Sequence, residues 1–116
     1  MPELKKYKMF INGEWVNSDT EKIFETLNPE NNKPWAVVPE ASASDVDRAV
    51  KAAQNAFEGE WPKLLPKERA RYLRMIGDKL RDNAENLGKI ETIDTGKLYR
   101  ETYKQANYIA EYYDYY

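Results

Sequence analysis

The feature that most constrains this chain is a change of apolar period near residue 41. Before that point, apolar residues come in short runs broken by turn signals. Met9, Phe10 and Ile11 lead into Asn12-Gly13, followed by Glu14-Trp15-Val16. An Asn-Gly pair between such runs specifies a tight hairpin, because both residues tolerate positive φ. Ile23 to Leu27, closed by Asn28-Pro29, and Trp35 to Val38, closed by Pro39, are further extended segments. Residues 1–40 are therefore expected to form a small antiparallel meander of about four short strands.

From Ala41 onward the period is 3.6. Ser42 is placed to cap a helix, with Asp45 three residues on in the capping-box position. Val46, Ala49, Val50, Ala53, Ala56 and Phe57 make one apolar stripe, and Gly59 is expected to close the helix. Pro66 suits the first turn of a second helix. Tyr72, Leu73, Ile76 and Leu80 are its expected inward face, with Arg69, Arg71, Arg74, Lys79 and Arg81 in water. Asn83 starts a third helix carrying Leu87, Ile90 and Ile93, and Gly96 is its expected C′ residue. The fold class is α+β: hairpins over 1–40, then about four helices over 41–116.

Composition narrows the function. Eighteen basic side chains oppose twenty acidic ones, for a net charge of −2. Neither nucleic acid nor an anionic membrane is thus an expected partner. The chain has no cysteine and no histidine, so disulfides, thiolate chemistry and Ser-His-Asp or Cys-His catalysis within these residues are excluded. Met1 to Lys8 is polar and lysine-containing, with no apolar stretch after it; a cytoplasmic location is expected.

The richest chemical segment is Glu91-Thr92-Ile93-Asp94-Thr95-Gly96-Lys97. Asp94 falls at a predicted helix C-terminus, where the dipole disfavours an anion. It is either a solvated aspartate near a turn, or it has a partner such as Lys97, an arginine or a cation. Asp94-Thr95-Gly96 also matches the aspartic-protease triplet, but that aspartate needs a loop between strands and this one follows a helical pattern. Gly96-Lys97 resembles the end of a phosphate-binding loop, yet Leu98 stands where Ser or Thr is required, and no G-x-G-x-x-G occurs. The arginines of the second helix alternate with Glu68, Asp78 and Asp82, as on a solvated face.

Seven of the nine tyrosines lie between Tyr99 and Tyr116. Tyr99, Tyr103, Ala106, Ala110 and Tyr113 form one helical stripe, while Tyr108, Tyr112 and Tyr115 cover another. A helix with aromatic groups on most sides normally has neighbours on most sides. The pattern runs to the last residue without glycine, proline or polar tail, which reads as a truncation. The alternative is a tyrosine-rich amphipathic helix closing a small domain.

Taken in order, these residues resemble the start of the aldehyde dehydrogenase superfamily. The resembling pieces are Phe10-Ile11-Asn12-Gly13-Glu14-Trp15, Phe24, Asn28-Pro29 and Val38-Pro39-Glu40-Ala41-Ser42. Next come the run from Asp45 to Ala53, Ala56-Phe57, Trp61 and Glu68-Arg69-Ala70. Glu91-Thr92, Asp94-Thr95-Gly96-Lys97 and the pair Tyr115-Tyr116 complete it. Leu98 departs from the proline that the family often carries after Gly-Lys.

The resemblance implies the N-terminal segment, 1–116, of a cofactor-binding domain, cut before its Rossmann-like core. It implies an NAD(P)-dependent oxidation of an aldehyde to a carboxylic acid. In that reaction a cysteine thiolate adds to the carbonyl, hydride passes to NAD(P)+, and a glutamate-activated water hydrolyses the thioester. None of these roles maps onto this chain, so no catalytic or cofactor-binding residue is expected here. The resemblance also implies a structural Na+ or K+ held at Thr26, Leu27 and Asp94. It places Lys104 and Tyr108 beside the aldehyde entry tunnel. The implied partners are the remainder of the enzyme, other protomers of a homo-oligomer, and the aldehyde. A non-catalytic binding or assembly module using the tyrosine-rich helix is the alternative.

Overall fold

A computed structural model describes residues 3–116. It contains five strands, β1 (Lys5–Lys6), β2 (Met9–Ile11), β3 (Glu14–Val16), β4 (Ile23–Asn28) and β5 (Lys33–Pro39). Four helices follow, α1 (Ala43–Glu58), α2 (Pro66–Asp82), α3 (Ala84–Thr95) and α4 (Tyr99–Tyr115), with a 3-10 turn at Trp61–Lys63. The α+β order read from the sequence holds. The strands divide into two sheets, however: β2 pairs with β3, and a second sheet runs in the order β1-β5-β4. The two-residue β1 lies parallel to β5, so the expected single antiparallel meander is not what forms. Two lysines carry no apolar alternation that would have announced a strand.

The chain divides into two units, residues 1–27 with 32–63 and residues 28–31 with 64–116. In the first, Asn12 and Gly13 take φ of 53° and 79° and set Met9 opposite Val16 and Ile11 opposite Glu14. Phe10 and Trp15 sit across from each other, with ring centroids 4.9 Å apart.

Helix α1 begins as its sequence requires. Asp45 N–H donates to Ser42 Oγ at 3.1 Å, and Ser42 N–H donates to Asp45 Oδ2 at 3.0 Å. The same carboxylate accepts from Ser18 Oγ at 2.7 Å, from the Asp19 N–H at 3.3 Å, and from Arg48. Asp45 is buried. The Ser42 amide, the Ser18 hydroxyl, Arg48 and the Asp19 amide, against the opposing effect of burial, hold its carboxyl far below the usual aspartate value.

The far end of α1 falls where it was expected, with Gly59 as the capping residue at φ of −86°. A Cβ there would lie 2.8 Å from the Asn55 carbonyl oxygen, so close approach, not positive φ, is what asks for glycine. Gly96, by contrast, has φ of 76° and returns its N–H to the Thr92 carbonyl at 2.9 Å, as expected for the C′ residue.

The second unit is held by small residues. Thr102, Ala106 and Ala110 of α4 are buried, as are Gly77 of α2 and Ala84 and Gly88 of α3. A Cβ on Gly88 would stand 3.0 Å from the Tyr103 backbone nitrogen and 3.1 Å from its Cα. Thr102 Oγ1 lies 2.9 Å from the Gly88 carbonyl oxygen, 3.0 Å from that of Tyr99, and 3.0 Å from Thr92 Oγ1. Its single proton serves the carbonyls, so the Thr92 hydroxyl is the donor in that pair.

The inward face of α2 differs from the one expected. Ala70, Leu73, Gly77 and Leu80 line up on its buried or half-buried side, whereas Tyr72 and Ile76 are 50% and 43% exposed. Gly77 sets that rotation, because a Cβ would meet the Ala110 carbonyl oxygen at 3.0 Å. Arg69 and Arg81 are also not simply solvated. Arg69 donates to the Leu64 carbonyl at 2.6 Å, and Arg81 bonds Asp114 and Asp78.

Gly88→Ala is expected to destabilise the chain. Forcing a methyl against the α4 backbone costs about 1–3 kcal/mol, which outweighs the roughly 1 kcal/mol that alanine gains as a helix former; urea denaturation reads the net loss. A second outcome concerns acid. Because Asp45 is depressed in the folded state, its contribution is complete above an unfolded value near 3.8 and fades as pH falls below it. The gap in Tm between wild type and Asp45→Asn should therefore narrow on acidification from pH 6 towards the acid limit, as followed by circular dichroism.

Candidate functional site

Few large side chains are enclosed. The largest fully buried ones are Thr102 and Asp45, and the buried apolar residues are Ala36, Val37, Ala84, Ala106 and Ala110. Two separate compact bodies of half this mass would together expose about 7,900 Å², whereas the chain exposes 9170 Å². The α1 stripe accounts for part of the excess: Val46, Val50 and Phe57 are 55%, 61% and 69% exposed.

Two concavities occur in the second unit. One, about 460 Å³, is lined by Tyr72, Met75, Ile76, Leu80 and Leu87 with Lys79 and Asn83 at its edge. The other, about 420 Å³, is formed by α4 alone from Tyr108, Glu111, Tyr112, Tyr115 and Tyr116. There the Tyr108 and Tyr112 rings meet edge to face at 5.3 Å, and Tyr112 Oη donates to Tyr108 Oη at 3.1 Å. That bond, with the neighbouring Tyr108 and Glu111, raises the Tyr112 phenol above its ordinary value. The cavity offers ring faces, hydroxyl groups and one carboxylate.

The residues singled out from sequence are distributed as follows. Tyr108 lines the α4 cavity, and Lys104 lies one turn before it on the same helix, outside the lining. Glu111 and Tyr116 also belong to the lining, and the sequence pattern had not singled them out as site residues. Their signal was the spacing of Tyr108, Glu111, Tyr112 and Tyr115, which returns to one helical face. Thr26 and Leu27 are in β4 of the first unit, and Asp94 is in the last turn of α3 in the second. Lys97 pairs with Glu91 at 2.7 Å. Asp94-Thr95 is helical, which removes the protease geometry. Among the described residues no cluster of three acidic side chains is placed to hold a metal, and no helix is long and apolar enough to cross a membrane.

This α+β chain with exposed apolar faces matches one family over most of its length. The model of the aldehyde dehydrogenase family matches residues 15–116. The chain is 40% identical over 101 residues to aldehyde dehydrogenase family 2 member C4 of Arabidopsis thaliana, covering 86% of this chain and 20% of that protein. Over 114 residues it is 38% identical to (Z)-2-((N-methylformamido)methylene)-5-hydroxybutyrolactone dehydrogenase of Acinetobacter baylyi, covering 97% and 23%. Among solved structures, an aldehyde dehydrogenase of Bacillus cereus superposes with a TM-score of 0.91 at 40% identity, covering 96% of this chain and 23% of that one. A betaine aldehyde dehydrogenase of Staphylococcus aureus in complex with NAD+ gives 0.88 at 36%, covering 93% and 22%. The chain belongs to the aldehyde dehydrogenase family. It spans about a fifth to a quarter of the length of these relatives.

Replacing Tyr108 by phenylalanine removes the acceptor that keeps the Tyr112 proton in place. In Tyr108→Phe the Tyr112 phenol should titrate at lower pH than in wild type, resolved by NMR of ring-labelled tyrosine. An unchanged titration would show that the hydroxyl pair does not persist in solution.

Proposed function

We propose that the chain is the N-terminal part of an NAD(P)-dependent aldehyde dehydrogenase that oxidises an aldehyde to a carboxylic acid, and that these residues alone turn nothing over. One observation carries the reading: the chain spans 20% and 23% of two relatives' length, while Val46, Val50, Phe57, Tyr72, Met75 and Ile76 stand uncovered. Apolar faces of this extent are normally covered by protein. The remainder of an enzyme four to five times longer supplies such a covering.

In that enzyme NAD(P)+, when bound, accepts the hydride removed from the substrate. This chain's residues provide scaffold rather than chemistry. It has neither the cysteine nor the histidine from which nucleophiles and bases are commonly drawn, and no glycine-rich phosphate loop. Tyr108 offers an aromatic wall for an aldehyde's apolar end, with Lys104 one turn away.

The test is aldehyde-dependent NAD(P)H formation, followed by absorbance. The 116-residue chain is expected to give none at any aldehyde concentration. A polypeptide in which the same residues are joined to the remaining length typical of the relatives is expected to give it. Turnover by the short chain would overturn the scaffold reading, and inactivity of the long one across aldehydes would overturn the enzymatic reading.

A further inference from the structure

We propose that Arg81 of α2 is a positioning residue for the aldehyde, acting through its ion pair with Asp114 at the end of α4. The proposal rests on the reading of Tyr108 as an aromatic wall for the substrate, and it says what holds that wall in place. The first half of α4 is anchored by close packing: Gly88 admits the Tyr103 main chain, and Thr102 Oγ1 reaches the Gly88 carbonyl at 2.9 Å. Beyond Thr102, the buried residues of α4 are Ala106 and Ala110. Methyl groups fill space without fixing a direction.

The directional contact comes from α2. Gly77 stands against α4, where a Cβ would meet Asp114 Oδ1 at 2.9 Å and the Ala110 carbonyl oxygen at 3.0 Å. One turn beyond Gly77, Arg81 donates through Nη2 to Asp114 Oδ2, and through Nη1 to Asp78 Oδ1 at 3.2 Å. The guanidinium fork is thus steadied on its own helix while it reaches across to the next. Its bond to Asp114, with the charges of Asp114, Asp78 and Glu111 and against desolvation, raises it above its ordinary value. Glu111 lines the α4 cavity, so the same cation acts on the wall itself.

The route from Asp114 to Tyr108 is short. Asp114 and Tyr112 share the last turn of α4. Tyr112 Oη donates to Tyr108 Oη at 3.1 Å, and the two rings meet edge to face. A helix end that swings away from α2 carries Tyr112 with it and leaves the Tyr108 ring unbraced. The Arg81 and Asp114 side chains are 36% and 38% exposed, so the pair adds little to global stability. Opening a helix end needs far less free energy than unfolding, and there a weak tie decides the outcome.

Amide hydrogen exchange of the 116-residue chain reads the tie directly. Arg81→Met and Asp114→Asn are each expected to speed exchange in the last turn of α4 roughly fivefold. Exchange at Gly88 and Thr102, and the Tm by circular dichroism, should scarcely move. In the polypeptide joined to the remaining length typical of the relatives, the same variants should raise the aldehyde KM by a similar factor with kcat retained, since binding and not chemistry is disturbed. The exchanged pair, Arg81→Asp with Asp114→Arg, should restore both readings, and it keeps the test decisive if a single variant fails to fold. Unchanged exchange, or an exchanged pair that restores neither reading, would overturn the proposal. So would an active long polypeptide whose KM ignores Arg81→Met. A long polypeptide inactive in its unmodified form would instead sink the enzymatic reading, and this assignment with it.

Discussion

The close approach of α3 to α4 at Gly88 is the contact on which the helical unit depends. The missing side chain brings the Tyr103 backbone to about van der Waals distance, and at that separation one hydroxyl, Thr102 Oγ1, reaches the Gly88 carbonyl. The arrangement is self-consistent. Without glycine the helices would stand apart, and without their proximity a buried threonine would lack its partners. Ala106 and Ala110 continue the same close seam towards Gly77, where α2 joins.

Small residues in the interior leave large ones outside. Close helix packing through glycine, alanine and threonine gives dispersion contact but buries little apolar area per residue. Phe57, Tyr72, Met75, Ile76 and Tyr108 remain accessible as a result. The chain invests its small residues in contacts with itself and its large residues in outward faces.

Features governed by neighbours in sequence were legible. Asn12-Gly13 gave the hairpin, Ser42 with Asp45 the start of α1, Pro66 the start of α2, and Gly96 the end of α3, because each acts within four residues. Features governed by distant contacts were not. Periodicity placed Tyr72 and Ile76 inward, but Gly77 turns the helix so that the side without a Cβ meets α4. The α1 stripe was correctly apolar, yet nothing local says whether an apolar stripe is covered by its own chain. Strand β1 was invisible, since Lys5 and Lys6 carry no alternation and their pairing is made by β5, some thirty residues later. For the site, Tyr108 was named only through the family resemblance, and its grouping with Glu111 and Tyr116 required knowing which face of α4 stays open.

The buried Asp45 has a bearing on biosynthesis. Its carboxylate is a local device that starts α1 and also the acceptor for Ser18, 27 residues earlier. A ribosome releases Ser18 well before Asp45 emerges, so the Ser18 hydroxyl and the Asp19 amide lack this acceptor during that interval. Because small units form as their residues become available, attachment of this loop must wait for the first turn of α1. One side chain thus couples the seating of this loop to the formation of α1.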